Sequence, residues 1–488
     1  MSSFKMFWFS SVAAVFVCAT VAYSQNANQQ NGSVNQFIGS LPNGYTVVEG
    51  NPLRLDPSDL CCKGYLPTAF FFNKSAPYVA FNVQDLPSPL SLFQGLPIFQ
   101  LRADEAIVLI GVTPPATKYF SYLPYLLMRY YPPDTTPKPI FASVGDAINV
   151  DTVKTLGPDP YNRPLVLILT PDKVTDAQVR AALHTAGYPD AIINTLVFSA
   201  PRLNLGLDTT KDDYFVLLHR LAVPTDPAAV EAYLDAMGST DVTKRPLRVF
   251  RVTPLVHSAL QPFSTPSLRV RGTGRNEMDL TQPLARLRQA ILDRYKDNYN
   301  YTEYHSRHIA YVGNEFIQRE VNTMADNPDA LYMGAGYLPI WDSEDDLTLG
   351  ENDFLIVYGP RHDSNRKATY MNLNVYASDL GLSLVSVYGD SLNLSAYEYL
   401  GQKDPAAGLM YAYQFARVGH CTTSAFCTSL EVPDDCTPWC PQKPCPPFTL
   451  DPSTKLGLFI RSYLEPQTRT GPAASELLYD QVIKFSPK

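Results

Sequence analysis

Leu165-Val-Leu-Ile-Leu169, Ile192-Ile-Asn-Thr-Leu-Val-Phe198, Tyr214-Phe-Val-Leu-Leu-His-Arg-Leu-Ala222 and Leu247-Arg-Val-Phe-Arg-Val252 are four apolar runs of strand length. Between the first two, Thr175-x-x-Gln178 reads as a capping box, and Val179, Ala182, Leu183 and Ala186 share a helical face that ends at Gly187. Between the last two, Asp226 stands before Pro227, an N-cap followed by a first-turn proline. Val230, Tyr233, Leu234 and Met237 then share a face closed by Gly238. The order is βαββαβ. Residues 164–253 are therefore expected to form a ferredoxin-like α/β unit, with two helices over one face of a four-stranded antiparallel sheet. The expected fold class is α+β, with this unit in the middle and a strand-rich, disulfide-containing region at the C-terminus.

Working outward, residues 51–163 carry short apolar runs broken by proline, as at Val112-Thr-Pro-Pro115 and Tyr131-Pro-Pro133, and read as a strand- and loop-rich region. Residues 25–50 are rich in Asn, Gln, Ser and Gly and read as a flexible leader. Residues 254–352 read as helical, with one helix from about Thr281 to Tyr295, a second over about 302–325, and an acidic loop. From 353 to 488 the pattern is that of strands. Met371, Leu373 and Val375 alternate with Tyr370, Asn372, Asn374 and Tyr376, which describes a strand with one buried and one wet face. A Cys/Pro-rich loop occupies 421–450. No internal repeat is legible.

The chain has 488 residues, a formal net charge of −8 and a pI of about 5.4. At 45% hydrophobic and 12% aromatic residues it is too apolar for a disordered chain, and it lacks the basic footprint of a nucleic-acid binder. Lys5, the nearly uncharged stretch from Met6 to Ala22, and small residues at Ala22 and Ser24 mark residues 1–24 as a signal peptide. No later run approaches the roughly 20 apolar residues of a spanning helix, so no membrane span is expected after cleavage. Sequons at Asn31, Asn73, Asn300 and Asn393 fit a secreted glycoprotein.

Beyond Cys18 the cysteines are Cys61, Cys62, Cys421, Cys427, Cys436, Cys440 and Cys445. Their clustering suits disulfides better than a zinc site at Cys436-x3-Cys440-x4-Cys445. An odd number leaves at least one unpaired. A ring between the neighbours Cys61 and Cys62 is strained, so at least one of them is expected to reach the 421–445 cluster.

Candidate sites are few. Gly389-Asp390-Ser391-Leu392 resembles the nucleophile block of the GDSL esterases, but it lies late in the chain and none of the seven histidines follows an Asp at the family's three-residue spacing. Asp390 and Ser391 read as turn residues. Gly272-Thr273-Gly274 lacks the further glycine and lysine of a phosphate loop. His305 and His308 would lie one turn apart on a helix, a metal-compatible spacing. Arg361, His362, Asp363, Arg366 and Lys367 form a charged loop. Asp342, Glu344, Asp346 and Glu351 belong to an acidic segment that suits weak calcium binding, the single cofactor the sequence suggests. Tyr119, Phe120, Tyr122, Tyr125, Tyr130 and Tyr131 offer rings for a glycan or for packing.

Every catalytic constellation lacks a member. The reading is a secreted binding or structural protein whose partner is an extracellular ligand, glycan or protein. The alternative is an extracellular hydrolase assembled from distant residues, with Ser391, His362 and His420 as its nameable members. N-terminal sequencing of the secreted protein is expected to begin at or near Gln25; an intact Met1 in a membrane fraction would contradict the leader assignment.

Overall fold

The computed structural model describes residues 32–83, 97–257, 259–309, 313, 317–338, 343–421, 424–440 and 444–488. The expected signal peptide, Asn31 and Asp342 lie outside them. The fold is mixed α and β with several sheets. Leaving aside two strands of two residues each (Ile148–Asn149 and Ser343–Glu344), the described residues form two sets of ten strands. The first set is β1 (Tyr45–Glu49), β2 (Asn51–Leu55), β3 (Tyr78–Asn82), β4 (Ala106–Val112), β5 (Thr117–Arg129), β6 (Lys138–Ser143), β7 (Pro164–Thr170), β8 (Ile193–Val197), β9 (Tyr214–Pro224) and β10 (Leu247–Pro254). The second is β11 (Tyr299–His305), β12 (Arg307–Ile309), β13 (Ala330–Leu338), β14 (Phe354–Pro360), β15 (Tyr370–Ala377), β16 (Leu382–Tyr388), β17 (Met410–Arg417), β18 (Cys427–Leu430), β19 (Leu456–Tyr463) and β20 (Gln481–Pro487).

Each set builds two sheets in one and the same order. The first half forms β1-β10-β4-β7-β8 and β2-β3-β9-β5-β6; the second forms β11-β20-β14-β17-β18 and β12-β13-β19-β15-β16. The registers agree as well. Tyr45 faces Pro254 as Tyr299 faces Pro487, and Ala106 faces Val252 as Phe354 faces Phe485. Arg220 faces Tyr78 as Arg461 faces Tyr332. In both halves the parallel pair is the same, β7 with β8 and β17 with β18. The chain is thus a structural duplication, which corrects the expectation of no repeat. Strand pairing requires apolar alternation and not particular residues, so equivalent positions diverge freely. Ile168 of β7 stands where Gln414 of β17 does.

The elements expected between 164 and 253 form where the sequence places them. The ferredoxin-like unit does not. β4 sits between β7 and β10, β7 pairs with β8 in parallel, and β9 belongs to the other sheet. β4 is buried along nearly its whole length, so it takes the centre of the sheet in place of a sequence-adjacent strand. The 302–325 helix is corrected over its first part, where Tyr299–His305 is a strand paired with β20, in keeping with its Tyr and Thr content, while residues 310–312 and 314–316 of that stretch lie outside the described residues. The leader is partly ordered, with a helix α1 over 32–40 before β1.

A short helix α2 (Pro57–Cys62) follows β2, and α3 (Lys173–Thr185) and α4 (Pro227–Met237) follow β7 and β9. The cap of α3 is Asp172, which accepts from Thr175 N at 2.9 Å, so Thr175 lies inside the helix. Asp226 caps α4 with Pro227 in its first turn. Val34 and Phe37 of α1 and Val179 and Leu183 of α3 bury one face of the β4 sheet. In the second half, α5 (Thr281–Tyr295) does the same with Leu287 and Ile291 over β14, β17 and β20.

The cysteines pair as Cys62–Cys436, Cys421–Cys427 and Cys440–Cys445, and Cys61 is left unpaired and buried. The first pair spans 374 residues and ties α2 to the Cys/Pro segment, where Thr437 N also donates to Cys62 O at 2.8 Å. Non-reducing peptide mapping is expected to link the Cys62 and Cys436 peptides. The double variant C62S/C436S should lose up to about 5 kcal/mol of stability on the chain-entropy model.

Candidate functional site

An arginine in the middle of an otherwise apolar strand is the local oddity from which the site is built. Arg220 lies in β9 and Arg461 in β19, at equivalent positions, and they are 3% and 4% exposed. Both point to the seam between the halves. On β15, Tyr370, Asn372, Asn374 and Tyr376 are all buried, because the face the sequence assigns to water is covered by the first half.

The seam is built from reciprocal bonds. Arg220 donates through Nη2 to Ala325 O in the second half at 3.2 Å, and Arg461 donates through Nη2 to Phe71 O in the first at 2.7 Å. Asn73 Nδ2 donates to the Tyr370 hydroxyl at 2.8 Å, and Asn327 Nδ2 to the Tyr119 hydroxyl at 2.9 Å. Tyr376 OH donates to Phe72 O at 3.1 Å, and Tyr125 OH to Asp326 O at 2.8 Å. Such mutual contacts are those of a two-fold interface, here within one chain. Each guanidinium also lies over a matched pair of rings, Arg220 over Tyr78 and Tyr125 at 5.6 and 5.0 Å and Arg461 over Tyr332 and Tyr376 at 5.4 and 5.6 Å, and Arg461 lies over Phe459 as well at 5.1 Å. Tyr78 and Tyr332 are equivalent, as are Tyr125 and Tyr376. The loops supplying the carbonyls are strained in the same way, with φ of 54° and 53° at Phe70 and Phe71 and of 51° and 60° at Met324 and Ala325. Left-handed backbone at non-glycine residues costs about 1–3 kcal/mol each, and the arginine bonds hold it in place.

Between the two arginines lies a small cavity of about 40 Å³, with Tyr78, Asp326, Tyr332 and Tyr463 among its walls. Neither Arg220 nor Arg461 forms an ion pair with a carboxylate among the described residues. The Asp326 carboxylate instead accepts from Ser143 N and Oγ, Gly313 N and Thr323 Oγ1 at 2.7–2.8 Å. Asp329 accepts from the Tyr119 hydroxyl at 3.1 Å and pairs with Arg269 at 3.3 Å. Burial pushes the Tyr376 phenol up to about 12, so it stays neutral and brings no countercharge.

The residues singled out in the sequence do not gather here. Ser391 is exposed and no hydrogen bond joins it to a histidine among the described residues; His420 is exposed on another loop. His362 is fully buried, its Nδ1 3.0 Å from both Glu277 oxygens and its Nε2 3.3 Å from Asp480. Burial opposes its charge, yet the two carboxylates outweigh it and raise its pKa to about 10. An imidazolium with both nitrogens engaged cannot take a proton from a serine, which removes His362 as a general base. The charged loop around it is largely internal: Arg361 pairs with Asp363 at 2.9 Å, and Lys367 with Glu465 and Glu476.

Other assignments also shift. Tyr119, Phe120, Tyr122 and Tyr125 are buried and form no glycan platform. Asn73 is 3% exposed with its amide engaged at the seam, leaving no room for a glycan, whereas Asn300 and Asn393 are exposed. Thr273 N and Gly274 N donate to Glu476, so an internal carboxylate occupies that turn. His305 lies on a strand and meets Gln481, not a metal partner. Of the acidic segment, Asp346 pairs with Lys455, Glu351 is exposed, and the backbone of Glu344 pairs with Tyr337 of β13. Among the described residues no group of three or more His, Cys, Asp or Glu is placed to hold a metal.

No protein-family model matches the chain, and no curated protein matches it. Among solved structures, the VPA0106 protein of Vibrio parahaemolyticus is similar over 86% of this chain and 92% of its own, at 10% identity and a TM-score of 0.36. That likeness carries no argument about site or activity. No helix among the described residues is long and apolar enough to cross a membrane.

The His362 cluster has a pH signature. Its folded pKa lies above the unfolded value near 6.5, so its stabilisation is full below about pH 6.5 and is lost as pH rises through about 10. Denaturant melts from pH 7 to 10 should show falling stability in the wild type and a flatter profile in H362Q. At pH 7 the variant should be about 3 kcal/mol less stable, since it leaves two buried carboxylates unpaired.

Proposed function

We propose that the chain is an extracellular, non-enzymatic binding protein that seats a small acidic or anionic ligand at the seam between its halves. The observation that carries this reading is the pair of buried guanidiniums lining one cavity, neither ion-paired among the described residues, while the one carboxylate in the wall, Asp326, is taken up by Ser143, Gly313 and Thr323. Burying an ion costs several kcal/mol, and ring contacts of about 2 kcal/mol with one carbonyl bond offset it only in part. A structural arginine of this kind is ordinarily paired with an acid. An acidic ligand supplies what the chain omits.

Paired cysteines and the absence of a membrane-spanning helix among the described residues are compatible with an extracellular location. The hydrolase alternative keeps Ser391, which no hydrogen bond joins to a histidine among the described residues. A thermal-shift screen of the intact, disulfide-bonded protein is expected to give saturable stabilisation by small anions or acids and none by neutral sugars. Stabilisation by sugars alone would overturn the seam as the ligand seat, and ester or glycoside turnover abolished in S391A would replace the binding reading with the enzymatic one.

A further inference from the structure

Arg220 and Arg461 are equivalent, yet their outer nitrogens fare differently. Arg220 Nη1 meets the Tyr125 hydroxyl, whereas Arg461 Nη1 has no hydrogen-bond partner in a residue that is 4% exposed and lines the cavity. Tyr376, which stands where Tyr125 does, likewise gives its proton to a carbonyl, Phe72 O, but its hydroxyl does not come within hydrogen-bond geometry of Arg461 Nη1 as that of Tyr125 does with Arg220. A buried donor on a charged group left without an acceptor is costly, and two like charges facing one cavity repel across a medium that screens poorly. A water answers the first cost but not the second. An anion answers both.

We propose that this cavity is a site for one small monovalent anion of the halide class, held by Arg461 Nη1 with Arg220 opposite, and that its occupancy tightens the docking of the two halves. The proposal rests on the reading of the seam as ligand seat and narrows that ligand to ion size. A water needs about 10–15 Å³ of such volume, so the cavity of about 40 Å³ has room for about three waters. That admits chloride, bromide or nitrate and is too small for a sugar ring or a peptide. Each half contributes one arginine, and each arginine already binds a carbonyl of the opposite half. An anion between them therefore bridges the two halves at the point where they are otherwise repelled.

The test starts from intact protein equilibrated in sodium gluconate, an anion too large to enter, with chloride exchanged in at constant ionic strength. The melting temperature should rise saturably by about 2–4 °C, with bromide and nitrate acting alike and R461M abolishing the rise. Chloride-35 NMR on the wild type gives a readout that needs no variant: line broadening by the protein, reversed by excess bromide. A rise that is linear in chloride and equal in R461M is a bulk salt effect and overturns the proposal. If only a larger acid, such as a dicarboxylate, stabilises the protein, the ion-size claim falls and the seam reading stands. If no anion of any size acts, both fall.

Discussion

Arg220 and Arg461 each cross from one half to a backbone carbonyl of the other, and the surrounding architecture follows from having to bury them. A guanidinium removed from water needs acceptors and rings in fixed places. The acceptors are the carbonyls of two left-handed loops, Phe70–Phe71 and Met324–Ala325, and the rings come from neighbouring strands of the same sheet. The loops are in turn held by backbone bonds to the opposite half, Ala69 N to Leu380 O and Thr323 N to Ile140 O. Strained loop, buried cation and tyrosine face therefore depend on one another, and none has a rationale in an isolated half.

Away from the seam the halves have diverged. In the first, α3 covers the connection from β7 to β8; in the second, the corresponding connection is a short loop closed by Cys421–Cys427. The His362 cluster and the Lys367 pairs have developed in the second half alone, in a connection between β14 and β15 that is longer than its counterpart between β4 and β5. The seam nevertheless keeps the same side chains in both halves, Asn73 with Asn327 in the loops and Tyr78 with Tyr332, Tyr119 with Tyr370, Tyr125 with Tyr376 and Arg220 with Arg461 on the strands, while matches such as Tyr45 with Tyr299 and Glu49 with Glu303 persist in the outer sheets. Core positions tolerate any apolar residue of suitable volume, whereas a bond between a named donor and acceptor does not.

Residues 164–253 show how far the sequence reaches. Apolar runs, Asp226 with Pro227, and the stripe from Val179 to Ala186 specify local elements because capping and periodicity act within a few residues. Which strand lies beside which is settled by burial across the whole chain, so β4 displaces the expected neighbour of β7 and β9 leaves for the second sheet. The alternation in β15 is legible, but its polar side looks wet in the sequence because nothing local announces that another half will cover it. Arg220 and Arg461 were visible as charges inside apolar strands, the one signal that pointed to the site. Their meaning depended on the duplication, and the duplication leaves almost no trace in residue identity. The sequence by itself determined the helices α3, α4 and α5, most strands and the tendency of the cysteines to pair, since these follow from interactions a few residues long. Only the tertiary structure decided the pairing of strands, the symmetry of the halves and the cavity between two cations, because each arises from contacts between residues hundreds of positions apart.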